Sequence, residues 1–569
     1  MKYGLFFLLM GVISLGASWA AFQSTPPAAP PFSRYCPEGA LLYVEAKDFS
    51  SLLSKWNDSP QKRQWVKSAN YEVFSNSRLL LRLKGASDQF TAAAGLPPDA
   101  NFLKQAAGRQ SALAIYDVGK LQFLYITQLS LGSSMESTLW QSRSRFETRS
   151  AAGTTFFFRR DLESGAEVAF AVSADHLLLA TREDLMAGAL ELMAGGKDRS
   201  IETEQWWAQS LAAAGPAGDL RMVLNLEKIV PSPYFRSYWV QRNIADMKEY
   251  SSSVSDLFRS DKDYREERVL VKKEAPAGGP SENDGAAGVA ELARLVPVQA
   301  GIYELKANPS PADCFALLET KLLAPHLGPP ATDKLAPQVA LTNGETGSGS
   351  DLETRIDQAA AEQAGLSEGG VPLKDLFQKN RVRALLQVQA TERDKEGVFV
   401  RFHSAFGLLG ESDWNEAALR ASLVDFAKPS LTAGGLGLQW HGRPGAQELN
   451  GLWDLIIAVR GKYLFVSDHT DLLDAMLVGM NQPVAFKPAL FVGGFDHAHE
   501  RENFARLTGS LDRFGNEAGA ALGMAHTPEF FSENLKSLSS TLAEVASEKI
   551  VVRDAGDKVL ETVTYEWVR

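Results

Sequence analysis

Cysteine is scarce: Cys36 and Cys314 are the only two among 569 residues, which leaves room for at most one disulfide. In an oxidising compartment the pair could close a very long loop, tying the start of the body to its middle; the alternative is two unpaired thiols, at least one of them buried. The separation carries no spacing signature that decides between them. Long apolar runs are scarce as well. Beyond the N-terminus no stretch approaches about 18 continuous apolar residues, which excludes a polytopic membrane domain. Excess positive charge is missing too: 58 Lys and Arg against 69 Asp and Glu give a net charge of -11. That argues against a nucleic-acid partner, which needs basic stripes to displace phosphate counterions. The longest basic clusters are pairs such as Arg159–Arg160 and Lys272–Lys273, read as solvated faces.

Catalytic motifs are equally sparse. No serine sits in a Gly-x-Ser-x-Gly elbow, and Gly347-Ser348-Gly349-Ser350 falls in a linker-like stretch. Gly195-Gly196-Lys197-Asp198 lacks the first glycine and final Ser or Thr of a phosphate loop, and Gly435-x-Gly437 lacks the third glycine of a dinucleotide fingerprint. No cofactor is implied.

What is there begins with an export signal. Lys2 and the terminal amine precede an uncharged apolar run from Tyr3, and Ser18 and Ala20 stand at the -3 and -1 positions of a cleavage site after Ala20. The alternative is an uncleaved anchor over Tyr3 to Phe22, about the length that spans a bilayer. Cys36 lies well beyond the run, which speaks against lipid attachment. The expected location is periplasmic or secreted, with membrane association through this N-terminal segment if it is retained.

Composition and turn residues divide the rest. The expected organisation is a signal at 1–20, a proline-rich stalk at 21–35, a first module at 36–274, a linker at 275–288 and a second module at 289–569 with a long polar loop at 328–350. The two modules share sequence. Residues 169–190 align without a gap to 456–477, with six of 22 positions identical, among them Ala171/Ala458, Asp184/Asp471 and Leu190/Leu477. Residues 37–46 align to 297–306, sharing Tyr43/Tyr303; the offsets are 287 and 260. Two matches in one order point to an internal duplication.

Within each match the pattern is a hairpin followed by a capped helix. Thr181 and Asp468 stand at the expected N-caps, with Asp184 and Asp471 three residues on; capping, not catalysis, explains these carboxylates. Ser310-Pro311-Ala312-Asp313 reads as a capping box opening another helix. Further hairpins at 112–116/121–127 and 384–388/398–402 predict largely antiparallel sheets, hence an α+β fold of two tandem related modules. The proline-led strand at 37–46 and the hairpin–helix segments at 165–195 and 452–481 resemble those of exported bacterial proteins carrying a domain of unknown function. That resemblance implies an envelope or secreted location and carries over no functional residue.

Candidate sites are few. Asp496, His497 and His499 could ligate zinc or copper if a third ligand arrived from elsewhere; the competing reading is a polar turn after the strand 489–495. Trp206-Trp207 and Tyr234, Tyr238 and Trp239 could stack on glycans or meet a lipid surface, while Phe235, Tyr238 and Trp239 also follow the i, i+3, i+4 spacing of a helix face packed on a core, which is the simpler account. The leading expectation is an exported non-catalytic protein whose modules form a binding or assembly surface for a protein or glycan. The alternatives are an exported hydrolase assembled from distant residues, with Asp496, His497 and His499 first in view, and a glycan- or lipid-binding protein using Tyr234–Trp239.

Overall fold

In a computed structural model of the chain, residues 31–568 are described apart from 68–70, 72–74, 77, 197–198, 233–246, 261, 274–280, 319–320, 323–371, 394–399, 432–438, 451–453 and 504–544. The signal segment, most of the stalk and the loop at 328–350 lie outside the described residues. The chain divides into two units: Met1–Ala277 with Thr508–Glu548 and Asp554–Arg569, and Gly278–Leu507 with Lys549–Arg553.

The first unit holds β1 (Leu42–Ala46), β2 (Ser111–Asp117), β3 (Gln122–Gln128), β4 (Glu147–Ala151), β5 (Thr154–Arg160), β6 (Glu167–Ser173), β7 (His176–Ala180), β8 (Leu220–Asn225), β9 (Tyr250–Arg259) and β10 (Asp263–Lys272). The second holds β11 (Ile302–Ala307), β12 (Val382–Arg393), β13 (Val400–Gly410), β14 (Gln439–Arg443), β15 (Ala446–Asn450), β16 (Asp454–Arg460), β17 (Tyr463–Ser467) and β18 (Phe491–Asp496). The chain ends on β19 (Val545–Asp554) and β20 (Lys558–Trp567), with Gly556 N–H donating to Asp554 Oδ1 at 2.7 Å in the turn between them.

Every strand pairing among the described residues given below is antiparallel. In the first unit the order is β4-β5-β6-β7-β3-β2-β1-β8-β9-β10-β20. In the second it is β14-β15-β16-β17-β13-β12-β11-β18. Numbered within each unit, the first eight strands take the same order, 4-5-6-7-3-2-1-8. Both bounds of β6 and β7 shifted by 287 give those of β16 and β17, and the start of β1 shifted by 260 gives that of β11. β20, expected in the second module, belongs to the first unit because it pairs along β10 from Asp263↔Glu566 to Val271↔Lys558.

The central strands of each unit are buried on two faces, which explains why they read as short apolar runs instead of strict alternation. In β7, Leu178 and Ala180 pack with Leu185 and Met186 of helix Glu183–Met193, while Leu177 and Leu179 face Phe90, Phe102 and Phe146. In β17, Phe465 packs with Leu472 and Met476 of helix Thr470–Gly479, while Leu464 and Val466 face Phe377 and Trp414. Covering each face removes apolar area from water at roughly 25 cal/mol per Å², the main favourable term in such a core.

Three local expectations change. Helix Glu183–Met193 has Arg182 as N-cap and helix Thr470–Gly479 has His469, neither with a side-chain cap bond. Thr181 Oγ1 instead accepts from Phe123 N–H on β3 at 2.8 Å, and Asp468 Oδ1 from Ser404 N–H on β13 at 2.8 Å. Each side chain satisfies a sheet amide instead of a helix terminus, because the chain leaves the strand beside that neighbour. The expected box at Ser310 does cap its helix, accepting from Asp313 N–H at 3.0 Å. The last stalk residues fold into the first unit: Phe32–Tyr35 is a 3-10 helix, and buried Phe32 packs edge-on to His176 with ring centroids 5.4 Å apart. The expected linker at 275–288 is helical over its second half, within Ser281–Ala293, where Val289 and Leu292 enter the second core.

Candidate functional site

Two places gather polar side chains. The first is a groove of about 980 Å³ in the first unit. Helix Gln205–Ala213 supplies Trp206 and Ala212, the short helix Leu226–Ile229 after β8 supplies Lys228, and β10 with the residue after it supplies Val271 and Lys273. Trp206 meets Trp207 edge-on at 5.7 Å, and its Nε1 is buried with no hydrogen-bond partner among the described residues. Lys228 pairs with Glu204 at 3.4 Å and Lys272 with Asp554 at 2.6 Å, whereas exposed Lys273 has no ion pair there. The groove therefore offers an apolar wall beside an exposed ammonium that has no ion pair among the described residues.

The second is a pair of imidazoles with a carboxylate in the second unit. Glu392 lies near the end of β12, and His403 on β13 is paired with Ala390, two residues before Glu392 and on the same face. His469 follows β17, whose Ser467 pairs with Ala405 of β13. Ser467 Oγ accepts from His469 N–H at 3.0 Å and donates to His469 O at 2.9 Å, fixing the backbone where the ring leaves it. The His403 and His469 rings lie 4.0 Å apart between centroids. Burial and the neighbouring His469 hold His403 below the usual histidine range, so its ring is neutral near pH 7. Behind it, burial lifts the Asp468 carboxyl to about 7. Glu392, His403 and His469 offer donor atoms within 4.8 Å of one another, the set that could hold a metal ion among the described residues.

The sites expected from sequence fall elsewhere. Asp496 ends β18 and accepts from His499 N–H at 2.9 Å, opening a helix at 497–503. Helical geometry separates the two imidazoles: His497 is buried against Phe495, with ring centroids 4.2 Å apart, and His499 is exposed. The shared strand face expected for metal binding is therefore not formed. Tyr234, Tyr238 and Trp239 lie outside the described residues. Trp207 is core, edge-on to Tyr43 at 5.1 Å. Cys36 and Cys314 are free thiols, one in each unit's core, so the disulfide is not formed. The Glu392–His403–His469 set had one sequence signal: Glu392 falls in the connection of the expected hairpin 384–388/398–402, and His403 directly follows its second strand. Nothing in the sequence adds His469 to it.

No family model matches the sequence, and no curated protein matches it. Among solved structures the chain is similar to crystal form I of TP0453, with a TM-score of 0.23, 10% identity and coverage of 44% of this chain and 82% of that one. Crystal form IV of TP0453 gives 0.23, 9%, 42% and 80%. Likeness at that level carries no argument about fold or function.

Proposed function

We propose that the protein is an exported, non-catalytic binding protein built from two copies of one antiparallel module, and that the first copy binds its ligand in the groove beside Trp206. The observation that supports duplication is the strand order 4-5-6-7-3-2-1-8 taken by both units. The parallel roles of Thr181 and Asp468, each accepting from the third strand of its unit, add to it. For binding, the support is the groove itself: an apolar wall at Trp206 and Val271 beside the ammonium of Lys273 suits a ligand with an apolar portion and an acidic group.

Thermal-shift screening of mature protein against amphiphilic acids and acidic peptides tests this. A compound that raises Tm of the native chain but not of a Trp206→Ala, Lys273→Glu variant supports the reading. Chemical conversion of the bound compound overturns the non-catalytic part, and equal stabilisation of both chains overturns the groove. Mass spectrometry of the N-terminus after expression in a bacterial host tests export: a chain starting at Ala21 is cleaved, and one retaining Lys2 is anchored or retained inside.

A further inference from the structure

We propose that Glu392, His403 and His469 form a mononuclear binding site for a divalent transition metal of the zinc type, open to solvent on one side. The argument begins with edge lengths. Glu392 Oε2 lies 3.4 Å from His403 Nε2 and 3.5 Å from His469 Nε2. A tetrahedral zinc ion with bonds of about 2.0–2.1 Å sets neighbouring donors about 3.4 Å apart. Both nitrogens therefore already face one carboxylate oxygen at the spacing a single ion imposes.

Two features favour an ion over a simple histidine–glutamate contact. His403 Nε2 is buried and meets Glu392 Oε2 at 3.4 Å, without a well-formed hydrogen bond among the described residues, a loss that a buried polar atom does not ordinarily bear. The two rings also bring their Nε2 atoms to the same carboxylate oxygen, which sets all three donor atoms around one point that an ion could occupy. Nitrogen donors with one carboxylate select zinc, copper, nickel or cobalt over calcium or magnesium, which prefer oxygen.

The support is rigid where it matters. Glu392 and His403 sit on paired strands, and His469 is pinned through Ser467. Asp468 Oδ1 lies 3.9 Å from His403 Nδ1, on the side where a second carboxylate orients a ligating imidazole. Glu392 is the exposed member, with 62% of its side chain accessible, so the remaining coordination positions face water. Arg401, paired with Glu392 across the hairpin, is the neighbouring cation and limits affinity without entering the donor set.

The test uses the full chain without a histidine tag, stripped with chelator and titrated with Zn²⁺ by calorimetry and with Co²⁺ by visible absorption. One ion per chain is expected, with cobalt absorption of a four- or five-coordinate nitrogen and oxygen site, and no comparable binding of Ca²⁺. His403→Ala and His469→Ala should each abolish it. Glu392→Gln, an exposed change that leaves the fold intact, should weaken it by more than the roughly 10–100-fold expected of an outer-shell partner. Unchanged zinc affinity in Glu392→Gln, or one-to-one binding that survives either histidine variant, overturns the site, as does absence of binding in the native chain.

Discussion

Arg268 on β10 donates through Nη1 to Glu561 on β20 at 3.0 Å, joining residues 293 positions apart in a setting where both are buried. Its Nη2 meets Glu266 at 2.8 Å, so one guanidinium serves two carboxylates, and Ser255 Oγ also donates to Glu266. Removing the guanidinium leaves two buried acids without a compensating charge, and Glu266 with the Ser255 hydroxyl as a donor. Arg268→Ala should cost about 3–5 kcal/mol of stability, measured by urea unfolding. A cost under about 1 kcal/mol would mean that the pair is solvated.

The same triad predicts a pH dependence. Burial raises the Glu561 carboxyl above the usual glutamate range; Arg268 opposes that shift and Glu266 adds to it. The folded state thus holds this proton to higher pH than the unfolded chain does. Its contribution is fully present below the ordinary glutamate value and is lost as pH rises through the raised one. Glu561→Gln should flatten that decline. An unchanged stability–pH slope in the variant would exclude Glu561 as its source.

The thiols should be inert in the folded protein. Burial, then the charges of Glu45 and Glu202, push Cys36 well above the usual thiol range, and burial with Asp313 pushes Cys314 up to about 12. A thiolate-specific reagent at pH 8 should label neither in the native state and both in denaturant without reductant. Failure to find two thiols in denaturant would show a bridge.

Gly301 has no room for a side chain. A Cβ there would lie 1.8 Å from Glu500 Oε1, and Glu500 is held by Thr391 Oγ1 and buried. Gly301→Ala should cost about 1–3 kcal/mol through overpacking. Glu500→Ala in that background should recover part of it, giving a coupling that a double-mutant cycle reads. Strict additivity of the two changes would rule out the contact.

Thr181 supports the sheet and not the helix that follows it. Thr181→Val leaves Phe123 N–H without its acceptor and should cost about 1–3 kcal/mol. Hydrogen exchange should speed at Phe123, with protection at Leu185 and Met186 unchanged. Faster exchange confined to the helix start would restore the capping role.

Local pattern alone determined a good deal here. Hairpin periodicity placed β6 with β7 and β16 with β17, the Ser310 box placed a helix start, and the offsets of 287 and 260 related elements that do share their places in the two strand orders. These are short-range consequences of turn residues and side-chain period, so one stretch of chain suffices to read them. Tertiary structure decided the rest. Whether Thr181 and Asp468 cap a helix or hold a strand depends on which amide lies nearer once the sheet closes. His497 and His499 separated because a helix began where a strand was expected to end. His469 met Glu392 and His403 only because β17 pairs with β13, a contact between segments more than 50 residues apart. A donor set of that kind is written in strand order, and strand order is settled by burying both faces of the sheet, not by any local run of residues.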